Sequence, residues 1–243
     1  MLKRVINEVK KYEYKLDLLW LILFPMFNVI YFITNHIHKE GFDLTIALDR
    51  MIPFVPIFII PYVYWYLYMI IGFLILSLND RKKYMRCILG LYLGMFFSYT
   101  IYLIFPTEIV RPTVTGNGIL SSIVKIIYSL DRPFNCFPSL HVLGTYFIMR
   151  YTKKENSQYV YYYTQTVGIL IILSTIFIKQ HFVLDAVASM LIVELINIIV
   201  KKISEENLEK YLKIPYEIVE RLTHKSQKFS EVSSNEKEWS YFN

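Results

Sequence analysis

Residues 52–78 read IPFVPIFIIPYVYWYLYMIIGFLILSL, a run with no charged side chain. A bilayer's hydrocarbon core is about 30 Å thick and a helix rises about 1.5 Å per residue, so roughly 20 mainly apolar residues cross it. The run is long enough to span, and Pro53, Pro56 and Pro61 predict a kinked or interfacial start. Five more apolar blocks stand out, at 17–34, 87–106, 139–152, 158–178 and 182–200. The block 139–152 is short by itself, and its flanks require a crossing there. The expected fold is all-α: a six-span transmembrane helix bundle over 1–203. A charged cytoplasmic tail, 204–243, begins as a helical pattern and ends in a polar stretch that reads as partly disordered.

The chain is 55% hydrophobic and carries a net charge of +6. Its basic residues sit at the ends of the apolar blocks, not in one patch, which argues against nucleic-acid binding. With six crossings, 20 of the 26 Lys and Arg fall on one side, among them Lys10, Arg81, Arg86, Lys153 and Lys202. The other side holds Lys39, Arg50, Arg111, Lys125, Arg132 and Lys179. The positive-inside rule then puts both termini in the cytoplasm of a multi-pass cell-membrane protein. Many of the 21 Tyr and 17 Phe lie near block ends, where amphipathic rings suit the headgroup region. Cys87 and Cys136 fall on opposite faces and are not expected to pair, and no metal-type cysteine spacing occurs. The stretch Ile119–Leu130 (ILSSIVKIIYSL) reads as a short amphipathic helix along the outer interface.

Three segments on the outer side carry nearly all the chemistry. They are Pro106–Pro112 (PTEIVRP), Asn135–Val142 (NCFPSLHV) and Ser174–Asp185 (STIFIKQHFVLD). The topology came from charge counts that made no use of these segments, and all three emerge at one face. His181 and Asp185 are four apart and share a helix face, where a carboxylate fixes the tautomer of an imidazole and stabilises its cation. A purely structural pair is the alternative, although charge near a bilayer is costly and more often functional. Ser139 is placed to cap the fourth block, with His141 in the first turn, beside free N–H groups that suit a phosphate oxyanion. Alone, these two read better as a plain cap and an interfacial histidine. Arg111, before Pro112, has a fork that matches phosphate, and Lys179 either does the same or snorkels.

Together the segments resemble the type 2 phosphatidic acid phosphatase superfamily, whose pattern is Lys-x6-Arg-Pro, Pro-Ser-Gly-His and Ser-Arg-x5-His-x3-Asp. Here Arg111-Pro112, Pro138-Ser139-Leu140-His141, and Ser174 with His181 and Asp185 stand at those spacings, across about residues 105–190. Leu140 replaces the Gly, Ile104 stands at the first-motif Lys, and Thr175 stands at the third-motif Arg. The Lys-Gln-His run resembles the branch containing inositol phosphorylceramide synthases, which transfers lipid head groups. The resemblance implies a metal-independent, cofactor-free lipid phosphatase with an extracytoplasmic active site. His181 is then the nucleophile that forms a phosphohistidine, Asp185 orients it, and His141 protonates the leaving alkoxide. Arg111, Ser139, Lys179 and position 175 form the phosphate-binding set.

Alternatives are a head-group phosphotransferase using an alcohol acceptor, and a non-enzymatic transporter or scaffold. A transporter more often gathers polar groups at mid-membrane between broken helices. His36 and His38 are too few ligands for a metal site. Gly90 and Gly94 predict close helix packing. Glu194 reads as a structural acid near the cytoplasmic end. Asp131, Arg132 and Asn135 either shape the outer loop or reach a head group.

Overall fold

The computed structural model describes residues 16–155 and 157–221. The basic cluster before residue 16 and the polar end of the tail, 222–243, lie outside the described residues. The described residues form helices and loops with no strand, and two isolated bridges join Phe42 with Thr107 and Glu108 with Phe134. A 3-10 turn Leu18–Ile22 leads into α1 (Leu23–Ile37), followed by the short α2 (Ala47–Met51). Another 3-10 turn, Pro56–Phe58, opens α3 (Ile59–Asn79), then α4 (Arg81–Ile104), α5 (Ile119–Leu130), α6 (Leu140–Tyr151), α7 (Gln158–Phe177) and α8 (Val183–Lys201). A last helix, α9, covers 205–221.

Five segments are long and apolar enough to cross a membrane: Leu18–Ile37, Pro56–Asn79, Arg81–Ile104, Gln158–Phe177 and Val183–Lys201. They are compatible with a multi-pass membrane protein. The long block 52–78 divides at its prolines, with residues 52–55 outside any helix and the helix proper starting at Ile59. Asp80 stops α3 and starts α4, because its carboxylate accepts from the Lys83 N–H.

The block 139–152 becomes α6, which at 12 residues is about 18 Å long and too short to span alone. Helices α3, α4, α7 and α8 surround it. Leu143, Phe147 and Ile148 on α6 are fully buried and form the middle of the main core. The two glycines of α4 permit this approach. A Cβ at Gly90 would lie 2.7 Å from Phe147 Cε1, and one at Gly94 would lie 3.0 Å from Leu143 Cδ1. At the far end of α6, Tyr146 and Arg150 both donate to Glu194 of α8, and Tyr151 donates to Asn197. The tail joins the same core through Leu208 and Leu212 of α9, while Glu205 pairs with Lys82 and Arg86 at the start of α4.

The opposite end is closed by α2, α5 and the loops 105–118, 131–139 and 178–182. Asn35, at the end of α1, donates to the carbonyls of Arg132 and Phe134 and accepts from the Arg132 N–H, which fixes the approach to α6. The amphipathic helix expected at Ile119–Leu130 has those bounds, with Ser121 and Val124 buried and Ile119, Ile126 and Leu130 exposed.

Candidate active site

Ser139 caps α6, its Oγ accepting from the Val142 N–H at 3.3 Å, and its carbonyl accepts from Ser189 Oγ on α8. The cap therefore sets both the start of α6 and its distance from α8. Ser139 has 0% exposure. His141 follows in the first turn, with its ring centroid 4.3 Å from those of Tyr62 and Trp65. The His181 ring lies 6.3 Å away, centroid to centroid.

His181 sits in a loop between α7 and α8 that is tied at almost every residue. The Thr175 carbonyl accepts from the N–H groups of both Gln180 and His181. Tyr128 of α5 donates to the Ile178 carbonyl, and Arg111 donates to Gln180 Oε1. Lys179 has φ 53°, the left-handed region that non-glycine residues seldom occupy. Its Nζ donates to the carbonyls of Asp49 and Ile52, at 2.9 and 2.6 Å. Asp49 answers with its own side chain, which accepts from the Val183 N–H at 2.8 Å and from the Ile46 N–H at 2.9 Å. Helix α2 and the histidine loop are thus latched in both directions.

His181 Nδ1 lies 2.9 Å from the Cys136 carbonyl oxygen and 3.2 Å from Asp185 Oδ2. A carbonyl oxygen only accepts, so Nδ1 carries the proton and Nε2 of the neutral ring keeps its lone pair. Asp185 Oδ2 also accepts from the Phe182 N–H, and the carboxylate is fully buried. His181 borders two cavities. One, of about 470 Å³, is lined by Arg50, Arg111, Lys179, Asp49 and Thr45 among others. The second, of about 210 Å³, is lined by Tyr31, Tyr62, Trp65, Asp131, Asn135 and His141 among others.

The expected phosphate-binding residues divide. Arg111 and Lys179 line the larger cavity with most of their donors engaged. Both Nη groups of Arg111 donate to the carbonyls of Tyr128, Asp131 and Arg132 and to Gln180 Oε1, which caps the end of α5. Its buried Nε has no partner among the described residues. Partial burial holds the Lys179 ammonium below the ordinary lysine value, and Asp49 pulls it back up. Ser139 and Thr175 line neither cavity. The Thr175 hydroxyl is fully buried and donates back to Ile172 O, so the contribution of this residue is its carbonyl.

Between the cavities, Asp131 accepts from Tyr31 and pairs with Arg111 at 3.7 Å. Burial pushes its carboxyl above the ordinary range, with the Arg111 guanidinium opposing. Asn135 is a loop-shaping residue at φ 58°, its amide donating to Tyr31 O and Thr34 Oγ1. Arg132 faces away, donating to the His36 carbonyl. His36 stacks on Phe32, and no three His, Cys, Asp or Glu side chains gather as a metal site among the described residues. The sequence expectation gave residues 46–52 and the aromatics of α3 no part in the site. The acidic and basic pair Asp49-Arg50, just ahead of a proline-broken span, is the one local signal they left. No family model, curated protein or solved structure matches the chain.

Proposed function

We propose that the chain is an integral membrane enzyme that cleaves the phosphate ester of a lipid phosphate through a phosphohistidine on His181. The observation that carries this is the state of His181. With Nδ1 bound to two acceptors, Nε2 is left as a lone pair, at the meeting of a cation-lined cavity and the His141 chamber. Nε2 attacks phosphorus, the bond to the alkoxide breaks, and His141 gives the alkoxide a proton. Water then attacks phosphorus, His141 takes its proton, and the P–N bond breaks to release phosphate. Asp185 and the Cys136 carbonyl hold the imidazolium as it forms.

The membrane frame of this proposal has both termini cytoplasmic and the site extracytoplasmic. Helix α6 and the buried approach 133–139 complete a sixth passage, and α5 lies in the interface. Irregular backbone at membrane depth is tolerated where protein buries it. The asymmetry of basic residues supports this orientation.

The test uses the full chain in detergent with a panel of lipid phosphates. Wild type is expected to release phosphate, and rapid quenching with radiolabelled substrate to trap an acid-labile, base-stable label. His181→Ala is expected to lose both. His141→Ala is expected to lose about 10²–10⁴-fold with an alkyl ester and less with an aryl phosphate, whose leaving group needs no proton. Wild-type turnover in His181→Ala overturns the proposal.

Transfer to an alcohol is a second reading, favoured by the smaller cavity. Trp65 Nε1, Asn135 Oδ1 and His141 Nε2 are buried there without partners among the described residues. A mixture of idle donors and acceptors beside aromatic walls suits hydroxyl groups. Labelled inositol added to the same assay separates the readings, since a labelled lipid product appears only if transfer occurs.

A further inference from the structure

We propose that Arg50, on α2, supplies the phosphoryl-binding charge of this site, an inference that rests on the phosphatase reading above. The larger cavity bordering His181 is lined by three cations, Arg50, Arg111 and Lys179. Two of them are largely engaged. The Nη groups of Arg111 hold three carbonyls and Gln180, and Lys179 gives two of its three N–H bonds to Asp49 O and Ile52 O. Arg50 donates no hydrogen bond to any described residue, and the acid that feels its charge is Asp43, whose carboxylate is held by Thr45. The one acid on this wall, Asp49, is engaged as an acceptor for Ile46 and Val183.

The base of Arg50 is fixed although its tip is exposed. The neighbouring Asp49 is bonded to Val183 on one side of the histidine loop, and Lys179 on the other side holds the carbonyls of Asp49 and Ile52. The guanidinium is therefore carried on an element latched to the loop that holds His181. Of the three positions where the resembled pattern has cations, Arg111 lines this cavity and the other two do not serve it. Ile104 is 76% exposed at the end of α4, and Thr175 is fully buried. A planar fork can grip two phosphoryl oxygens at once. The chemistry required by residues 105–190 is thus completed by a residue more than fifty positions upstream of the second motif.

Inorganic phosphate is the probe, applied to the full chain in detergent. Arg50→Ala is expected to raise both KM for the lipid phosphate and the constant for inhibition by phosphate, roughly 10- to 100-fold, the usual range for a charge-assisted bond. Arg50→Lys should recover part of the loss. Lys39→Ala, which removes another outer-side cation, should leave both constants in place, and no melting temperature should change by much. Phosphate binding to the His181→Ala protein, measured calorimetrically, makes the site independent of turnover. Binding that weakens on adding Arg50→Ala supports the inference even if hydrolysis is never seen. Wild-type binding in the Arg50→Ala protein, or no phosphate binding by any form, overturns it. In the first of those cases the phosphatase reading can still stand on activity.

Discussion

The Nδ1–H of His181 points at the carbonyl oxygen of Cys136, 2.9 Å away, as well as at Asp185, 3.2 Å away. The shorter bond is to a peptide group, which no side-chain substitution removes. Where an aspartate alone sets the tautomer, its change to asparagine costs about 10⁴-fold in turnover. Here Asp185→Asn keeps the Cys136 acceptor, and the expected loss is smaller, on the order of 10²-fold. A pre-steady-state measurement of label formation on His181 checks this. A loss as complete as that of His181→Ala would mean that the peptide acceptor does not orient the ring.

The latch between α2 and the histidine loop should be felt in stability. Asp49→Ala strips the partners from the Ile46 and Val183 N–H groups, and an unsatisfied buried donor costs about 1–3 kcal/mol. The melting temperature in detergent should fall. Asp49→Asn, which keeps one acceptor oxygen, should fall less. Equal melting of wild type and Asp49→Ala would show that the latch carries no weight.

Asp131 gives the protein a pH signature. Burial raises its carboxyl above the ordinary value near 4, with Arg111 opposing. In that window the folded state binds more protons than the unfolded chain, so stability falls as pH rises through it. The contribution is complete below the ordinary carboxylate value and lost above the raised one. Unfolding measured from pH 4 upward should show this slope in wild type, and Asp131→Asn should flatten it.

Orientation is testable with new thiols, because the native ones are silent. Cys87 and Cys136 are 0% and 1% exposed, out of reach of a reagent in solution. Neither native thiol can report a face, and exposed positions must be substituted. Val110→Cys should react with an impermeant reagent on intact cells, and Glu155→Cys only after permeabilisation. The reverse pattern would invert the topology.

The parts legible in the sequence are those governed by local rules. The Ser139 cap and the Gly90–Gly94 seam each depend on residues within one turn or one helix, whereas His181 and Asp185 do pair but not on a shared helix face, because His181 lies in the loop ahead of α8. Helix α6 was legible as a block, and its shortness was visible, but its burial inside four neighbours was not. Lys179 shows the limit most clearly. Its acceptors lie 127 and 130 residues upstream, in a segment whose five-residue helix leaves no periodic trace. Arg50 read only as an outer-side charge and Asp49 went unnoticed for the same reason, since only tertiary contact brings them beside His181. Thr175 was assigned by alignment to an arginine position, and position says nothing about which atom of the residue is used.

The latch also dates the site. Its halves lie in residues 46–52 and 179–183, on either side of three of the five long apolar helices, and the second half runs into the start of the last of the five. A ribosome delivers them far apart in time, with the Asp49 and Ile52 acceptors waiting through most of synthesis. Until residues 179–183 are made, those acceptors have neither the Lys179 ammonium nor the Val183 N–H to hold, and the loop that carries His181 is not yet anchored. The candidate site is thereby closed only when its last long helix arrives.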